Sequence, residues 1–165
     1  MVALILEVGC GKHRSAFVDI ALDITKESFC DIVADVHRLS FRDGVFSRVV
    51  FYEVLEHLVS PLQALREINR VLKKNGELEF SYPNVMHWRA MLRWIVKGKI
   101  SVDSEHIYCW RLPEIENLLT TALFRIKGID FVDTHWAGSS IFANVFPRIT
   151  KQSMFVKSIK LESNQ

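Results

Sequence analysis

The 165 residues suffice for one domain with a buried core, and we predict a single domain over residues 1–165. With 49% hydrophobic and 24% charged residues the composition is typical of a globular protein, and a net charge of +2 gives no case for nucleic-acid binding. The three cysteines lack Cys-x-x-Cys spacing and no apolar run approaches the roughly 18 residues of a membrane span, so we predict no disulfide framework, metal site or transmembrane segment.

The first predicted strand, residues 2–8, ends in two glycines. Gly9 and Gly11 interrupt the extended backbone, because glycine readily takes positive φ and lets a ligand approach the main chain closely. Glu7 could anchor the amides of this turn or hydrogen-bond a cationic ligand group. A phosphate-binding loop would favour Gly-Lys-[Ser/Thr], which is absent here. Because glycine-bearing turns are common, an ordinary strand and loop is the alternative interpretation.

Two short strands are predicted next, over residues 21–24 and 31–36. Parallel neighbours usually need a crossover of about a dozen residues or more. Residues 9–20 supply about that number. The helix between the first two strands can therefore have one or two turns at most, around residues 15–19.

Aspartates lie at the carboxyl ends of both of these strands. In an open α/β sheet this is the edge where ligands bind. Asp23 could accept hydrogen bonds from a pair of ribose hydroxyls, and Asp35 could accept one from a purine amino group. Asp19 competes for the ribose role if the second strand is longer, and a solvated aspartate or a helix N-cap is the alternative for Asp23.

The best-defined helix follows a fourth strand, residues 45–52, and a loop or short helical turn over residues 53–58. Ser60 suits the N-cap, Pro61 suits the first helical position, and apolar residues recur at 3.6-residue spacing. We predict that the helix runs through two lysines and ends at residues 75–76, where an Asn-Gly pair follows.

The second half of the chain begins with a fifth strand over residues 77–82. A helix over residues 84–98 carries apolar residues on one face and three basic residues on another, which favours packing on the sheet over a membrane-surface or anionic-substrate role. Residues 99–110 are predicted to be an irregular loop. The remaining predicted elements are a helix over residues 113–123 and an antiparallel edge hairpin of strands 125–133 and 154–161.

In order and spacing these motifs make the chain resemble the class I S-adenosylmethionine-dependent methyltransferases, and most closely their small branch of the methyltransferase type 11 kind. The resemblance covers roughly residues 2–84. The segments that carry it are residues 6–11, 22–24, 31–41, 51–58 and 61–73. It implies a Rossmann-like α/β fold with a seven-stranded, mostly parallel sheet, helices on both faces and an antiparallel last strand. This chain differs in its shortened first crossover.

The resemblance also implies S-adenosylmethionine as the cofactor, bound by residues 1–84, with residues 85–165 forming the substrate side and the edge hairpin. The first loop would hold the amino-acid part of the cofactor, Asp23 the ribose, Asp35 and Val36 the adenine, and the end of strand four the methyl-bearing end. The cofactor-binding residues expected on this basis are Glu7, Gly9, Cys10, Gly11, Asp23, Asp35, Val36, Tyr52 and Glu53.

We therefore expect methyl transfer to a small-molecule acceptor by in-line displacement. His106 is the first candidate for a general base and His57 the second, and a structural or surface histidine is the alternative for each. The aromatic residues Trp88, Tyr108 and Trp110 could wall the acceptor site.

Two other classes of protein remain open. A non-catalytic subunit of methyltransferase fold, bound to a partner subunit, is suggested by the shortened crossover, and so compact a domain could also form a homodimer. A nicotinamide-dependent oxidoreductase is disfavoured because Gly-x-Gly-x-x-Gly is missing. No basic segment precedes the first apolar run, so we expect no signal peptide and a cytoplasmic protein.

Overall fold

The computed structural model describes residues 3–26, 29–98, 105–132 and 151–161. The strands of the described residues are β1 Ile5–Val8, β2 Ile20–Asp23, β3 Ile32–Val33, β4 Phe46–Tyr52, β5 Leu72–Pro83, β6 Phe124–Val132 and β7 Ser153–Lys160. The helices are α1 Pro61–Val71, α2 Trp88–Lys97 and α3 Leu112–Thr121, and a single 3₁₀ turn spans Leu55–His57.

The strands form one sheet in the order β3-β2-β1-β4-β5-β7-β6. The pairs from β3 to β5 are parallel, whereas β7 runs antiparallel to both β5 and β6. This confirms the predicted seven-stranded, mostly parallel sheet with an antiparallel last strand. The predicted pairing of the last two strands is also confirmed, with β7 inside the sheet and β6 at its edge.

The short connections in the first half differ from the prediction. Residues 9–19 contain turns but no helix, so the predicted helical turn around residues 15–19 is wrong. Polar contacts organise this connection instead, because the Glu7 carboxylate accepts hydrogen bonds from the Ser15 amide at 2.8 Å and the Ser15 hydroxyl at 2.6 Å. At the other end of β1, the Asp19 carboxylate accepts the Ile5 amide at 2.8 Å.

Two strands in this half are shorter than predicted. β1 begins at Ile5 rather than at residue 2, although residues 1–2 lie outside the described part. β3 has only two residues, because it is an edge strand that pairs with β2 at two positions. Asp31, predicted to belong to it, instead accepts hydrogen bonds from the Arg14 side chain and the Ala21 amide.

The transition from α1 to β5 also falls earlier than predicted. Ser60 is the N-cap residue, although its side chain makes no capping hydrogen bond. The helix ends at Val71 because Leu72 adopts an extended conformation and pairs with Phe46. Residues 73–76 then bulge out of the β4–β5 ladder, with Asn75 at a positive φ of 58°.

The main core lies between the sheet and helices α1 and α3. Leu65 and Ile68 of α1 and Leu119 of α3 are buried with strand residues such as Phe51 and Phe80, whose stacked rings lie 5.0 Å apart. On the other face, Cys10, Val18, Ala21 and Val50 form a small buried cluster. One wall of that cluster is therefore the β1–β2 connection.

Helix α2 is shorter than the predicted 84–98 and presents its apolar residues to solvent. Trp88, Met91, Leu92, Ile95 and Val96 are between 41% and 72% exposed. The predicted packing of this apolar face on the sheet is therefore wrong, because 3.6-residue periodicity identifies a face but not what covers it. Within the described ranges no helix combines the length and apolar character needed to cross a membrane.

The other predicted elements shift by only one or two residues at their ends. Of the predicted 99–110 loop, residues 105–110 are irregular as expected. The rest of that loop and the connection between the last two strands lie outside the described residues. Cys10, Cys30 and Cys109 are all free thiols.

Candidate active site

A cavity of about 720 Å³ opens at the carboxyl ends of β1, β2 and β4. This volume suits a ligand of cofactor size. Six of the nine cofactor-binding residues predicted from the sequence line it. They are Gly9, Gly11, Asp23, Asp35, Val36 and Glu53.

The loop after β1 needs both of its glycines. Gly9 has a φ of 69°, and a Cβ placed on it would lie 2.5 Å from Cγ2 of Val54. Its amide donates to the Leu22 carbonyl at 2.8 Å, which holds the loop against β2. Gly11 has a φ of 52°, and a Cβ there would meet no described atom within 4 Å. The loop backbone is therefore bare on the side where a ligand can approach.

Asp23 fixes this loop to the end of β2. Its carboxylate accepts hydrogen bonds from the Gly11 amide at 2.8 Å and from the Thr25 amide and hydroxyl at 2.9 Å each. Burial alone would raise the pKa of Asp23, but these hydrogen bonds outweigh it and hold the pKa below its ordinary value. The group is therefore an anion at neutral pH with acceptor capacity left for a ligand. Asp19 lies at the opposite edge, before β2, and cannot share this role.

Asp35 and Val36 follow β3 on the next side of the cavity. The Asp35 carboxylate accepts from the His37 amide at 2.9 Å and lies 2.6 Å from His37 Nδ1. The hydrogen bond from the His37 amide is the main reason that the pKa of Asp35 falls below its ordinary value. Val36 is buried, whereas Ile24 across the cavity is exposed. The Asp35 carboxylate and these two apolar side chains can together bind a flat ring that carries polar groups at its edge.

The charge of the cavity wall distinguishes between ligand classes. The described lining residues include four carboxylates, those of Asp23, Asp35, Glu53 and Glu105, and neither lysine nor arginine. Such a wall suits hydroxyl donors and a cationic group, and it opposes the pyrophosphate of a nicotinamide dinucleotide. The residues present therefore fit S-adenosylmethionine, which carries ribose hydroxyls and a positively charged sulfonium.

Comparison with known proteins supports this interpretation. Residues 6–80 match the family described as a methyltransferase domain. An uncharacterised protein of Methanocaldococcus jannaschii is 36% identical over 90 residues, a match that covers 46% of this chain and 38% of that relative. The chain thus spans well under half of the curated relative that it matches.

Solved structures extend the likeness over nearly the whole chain. A methyltransferase from Thermotoga maritima has a TM-score of 0.72 at 16% identity and covers 97% of this chain and 83% of its own. One from Archaeoglobus fulgidus has a TM-score of 0.70 at 17% identity, covering 96% and 86%. A complex between the Haloferax volcanii Trm112 methyltransferase activator and a methyltransferase has a TM-score of 0.69 at 16% identity, covering 99% and 86%.

The chain has the class I methyltransferase fold. The resemblance predicted from the sequence is thereby confirmed for the fold, and residues 6–80 match a methyltransferase domain.

Three residues expected to bind S-adenosylmethionine do not line the cavity of this methyltransferase fold. Glu7 is buried and its carboxylate is bound to Ser15, so it anchors the turn rather than a ligand. Cys10 belongs to the small cluster on the other face, and burial raises its thiol pKa to about 11. The Tyr52 ring stacks on Phe155 at 5.8 Å, and burial raises its pKa to about 12.

Glu53 begins the turn after β4 in a strained conformation. Its φ of 54° is unusual for a residue other than glycine. The Ser81 hydroxyl donates to its carboxylate at 2.6 Å, and its own amide donates to the Ser81 carbonyl at 3.1 Å. These two bonds to β5 hold the side chain at the cavity wall. Strained backbone of this kind often occurs at functional sites.

The structure brings the two predicted histidines together, although only His57 lines the cavity. Their rings are 4.7 Å apart at 77°, and His57 Nδ1 is 3.1 Å from the Glu105 carbonyl. Glu56, which the sequence reasoning missed, lies beside them with its Oε1 3.9 Å from His106 Nε2. Burial, helped by the nearby charge of Glu53, raises the pKa of Glu56 to about 8. The repeated Glu-His dipeptide, at 56–57 and 105–106, was the available signal.

Proposed function

We propose that this chain binds S-adenosylmethionine in the cavity at the carboxyl edge of the sheet and transfers its methyl group to a small-molecule acceptor. The observation that carries the proposal is the convergence of Gly9, Gly11, Asp23 and Asp35 on one cavity. In this proposal the glycine loop receives the amino-acid part of the cofactor, Asp23 the ribose and Asp35 with Val36 the adenine. Glu53 lies nearest the methyl-bearing end.

Methyl transfer requires the protein mainly to align the acceptor with the methyl group. When bound, S-adenosylmethionine supplies a methyl group activated by the positively charged sulfur that carries it. That sulfur is the leaving group and departs as part of S-adenosylhomocysteine. The chain must orient the acceptor in line with that bond and exclude water. An oxygen or nitrogen acceptor also has a proton to lose, and His57 is the candidate to hold it because it lines the cavity. His106 lies behind His57 and acts in this proposal through it.

We also propose that residues 1–84 bind the cofactor and that residues 85–165 supply the acceptor side. The segment before α3 supports this division. Tyr108 stacks on Trp110 at 4.8 Å and donates its hydroxyl to the carbonyl of Val59, a cavity-lining residue, at 3.3 Å. The two aromatic rings therefore stand beside the cavity mouth.

Calorimetric titration with S-adenosylmethionine and S-adenosylhomocysteine tests the proposal. We expect micromolar binding of both, weakened about tenfold to a hundredfold in Asp23→Ala, because hydrogen bonds to a charged group contribute about 1.5–3 kcal/mol. Asp19→Asn is the matched control, since Asp19 also accepts a backbone amide at an end of β1 but lies outside the cavity. Equal weakening in both variants, or no binding by the folded wild type, would contradict the proposal.

A non-catalytic binding subunit is the second candidate. Edge strand β3 and its flanks expose four large apolar side chains, Ile24, Phe29, Ile32 and Val33, at 37% to 69%. Such an edge suits pairing with another chain or with a second copy. The Haloferax volcanii complex is an example of this fold bound to a partner protein. A folded protein that binds neither ligand but co-purifies with a partner would favour this candidate.

A further inference from the structure

Two short segments of the chain meet beside the cavity wall and bring three potential metal ligands together. Glu56 and His57 come from the 3₁₀ turn after β4, and His106 comes from the segment before α3. Each offers one ligand atom, and these atoms all lie within 4.8 Å of one another. Backbone hydrogen bonds hold the two segments next to each other, because the amides of Ile107 and Tyr108 donate to the Glu56 carbonyl at 2.9 and 3.2 Å.

The Glu56 carboxylate is the unusual member of this group. Its side chain is 1% exposed, and within the described part of the chain neither carboxylate oxygen has a hydrogen-bond partner. Burying a carboxylate in this way is costly unless it is paired or coordinates a metal. A cation placed between Glu56 and the histidines would satisfy it.

The distances suit an ion better than a direct hydrogen bond. Glu56 Oε1 and His106 Nε2 are 3.9 Å apart, too far for a hydrogen bond. In a tetrahedral site with zinc bonds of about 2.0–2.2 Å, two ligand atoms lie about 3.4 Å apart, so these two atoms need to approach by only about half an ångström to bind one ion. The widest separation in the group, at most 4.8 Å, would have to close by at most about 1.4 Å to reach the same geometry.

The hydrogen bond of His57 is compatible with the same role. A carbonyl oxygen accepts a hydrogen bond only from a protonated nitrogen, so the contact with the Glu105 carbonyl at 3.1 Å favours the proton on Nδ1. Nε2 then carries the lone pair that a metal needs. Metal-binding histidines commonly donate their other nitrogen to a backbone carbonyl in this way.

We propose that Glu56, His57 and His106 bind a divalent first-row transition-metal ion at the wall of the cofactor cavity. Two imidazoles and one carboxylate suit Zn²⁺, Mn²⁺ or Fe²⁺ rather than Mg²⁺, which prefers oxygen ligands. The set contains no cysteine, which is why cysteine spacing gave no sign of it. Three protein ligands leave coordination positions open for another molecule.

The position of the ion suggests its use. His57, Glu53 and Glu105 line the cavity, so an open coordination position can face it. There the ion would hold and polarise an oxygen of the acceptor, so that with the ion bound the ion, rather than His57 as a base, eases the loss of the acceptor's proton; a hydroxyl-bearing acceptor is therefore the expected class. This use rests on the proposed methyl transfer, whereas ion binding itself does not.

Metal titration of the purified, chelator-treated chain tests the site without any cofactor. We expect calorimetry with MnCl₂ to show one saturable site per chain and thermal unfolding to shift upward with MnCl₂ or ZnCl₂. Glu56→Gln and His106→Gln should each weaken Mn²⁺ binding at least tenfold and lose the thermal shift. Glu116→Gln and His13→Gln, which alter an exposed acid and an exposed histidine elsewhere, should retain both.

Absence of saturable Mn²⁺ binding by the folded wild type would overturn the site. So would Mn²⁺ binding by Glu56→Gln as tight as that of the wild type, or Mg²⁺ binding as tight as Mn²⁺. Far-ultraviolet circular dichroism shows whether each variant is folded, and the two separate ligand variants keep the test decisive if one is not. S-adenosylhomocysteine titration of the same metal-free samples reports on the proposed function independently.

Discussion

Gly9 combines a backbone conformation and a packing position that favour glycine over every other residue. Its φ of 69° lies in the left-handed region, and Val54 fills the space that a Cβ would need. Val54 immediately precedes the 3₁₀ turn that carries Glu56 and His57, which together with His106 form the Glu56 cluster. The glycine therefore sets the distance between the first loop and the turn after β4, which are two walls of the same cavity.

Gly9→Ala is expected to destabilise the protein more than Gly44→Ala does. Both positions have positive φ, at 69° and 66°, but a Cβ on Gly44 would meet no described atom within 4 Å. The strained φ costs about 1 kcal/mol or more at either site, and overpacking against Val54 adds about 1–3 kcal/mol at Gly9 alone. Urea unfolding measures the difference, and equal losses in the two variants would refute the packing argument.

Sequence reasoning predicted some residues that line the candidate site and missed others, for reasons visible in the strands. Gly9 and Asp23 follow strands whose carboxyl ends meet at one edge, so spacing was enough to place them. Glu7 lies within β1 and Tyr52 within β4, where alternation turns their side chains toward the face of Ala21 and Val50. Glu56 depends on contacts with a segment 50 residues later, and the only sequence signal for it was the Glu-His dipeptide that recurs at 105–106.

At the scale of elements, polar contacts hold connections between strands that helices usually hold in a sheet of this kind. The connections after β1 and β2 contain no helix in the described residues and are held by carboxylates that accept backbone amides. The connection before β4 is held by Arg70 of α1 in the same manner. Its guanidinium donates to the carbonyls of Leu39 and Phe41 and to the carboxylates of Asp43 and Glu67.

Glu67→Gln should weaken the protein at neutral pH and do so less in acid. The hydrogen bond from Arg70 is the main reason that the pKa of Glu67 lies below its ordinary value of 4.5. The resulting stabilisation is complete above that ordinary value and is lost as the pH falls through the lowered folded-state pKa. We expect a loss of about 1–2 kcal/mol at pH 7 that becomes smaller when the pH is lowered to 3.

Urea unfolding at both pH values measures this effect, with Glu116→Gln as a control acid on the exposed side of α3. A loss in Glu67→Gln that stays constant between the two pH values would show that the ion pair is not its source.

Element boundaries were predicted well where one local signal acted alone. Pro61 starts α1 as expected, because its fixed φ suits the first turn. The end of the helix was misplaced because pairing between Leu72 and Phe46 overrides the helical preference of the lysines that follow. The same limit applies to α2, whose apolar spacing shows that it is amphipathic but not which surface it meets.

At the scale of the whole molecule, the two edges of the sheet differ in chemistry. The carboxyl edge collects the glycine loop, the aspartates after β2 and β3, and the Glu56 cluster, whereas the described amino edge holds Asp19 and the start of each parallel strand. The strand order was not predicted, since periodicity marks strands but not their neighbours. The antiparallel β7 between β5 and β6 is the clearest example.

The most direct test of the central claim is to map S-adenosylhomocysteine binding by amide chemical shifts of the ¹⁵N-labelled chain. We expect the largest shifts at Gly9, Gly11, Asp23, Asp35 and Val36, with little change at Ile5 and Phe46 on the opposite edge of the sheet. Shifts concentrated at that opposite edge, or none at saturating ligand, would contradict a cofactor site at the carboxyl edge.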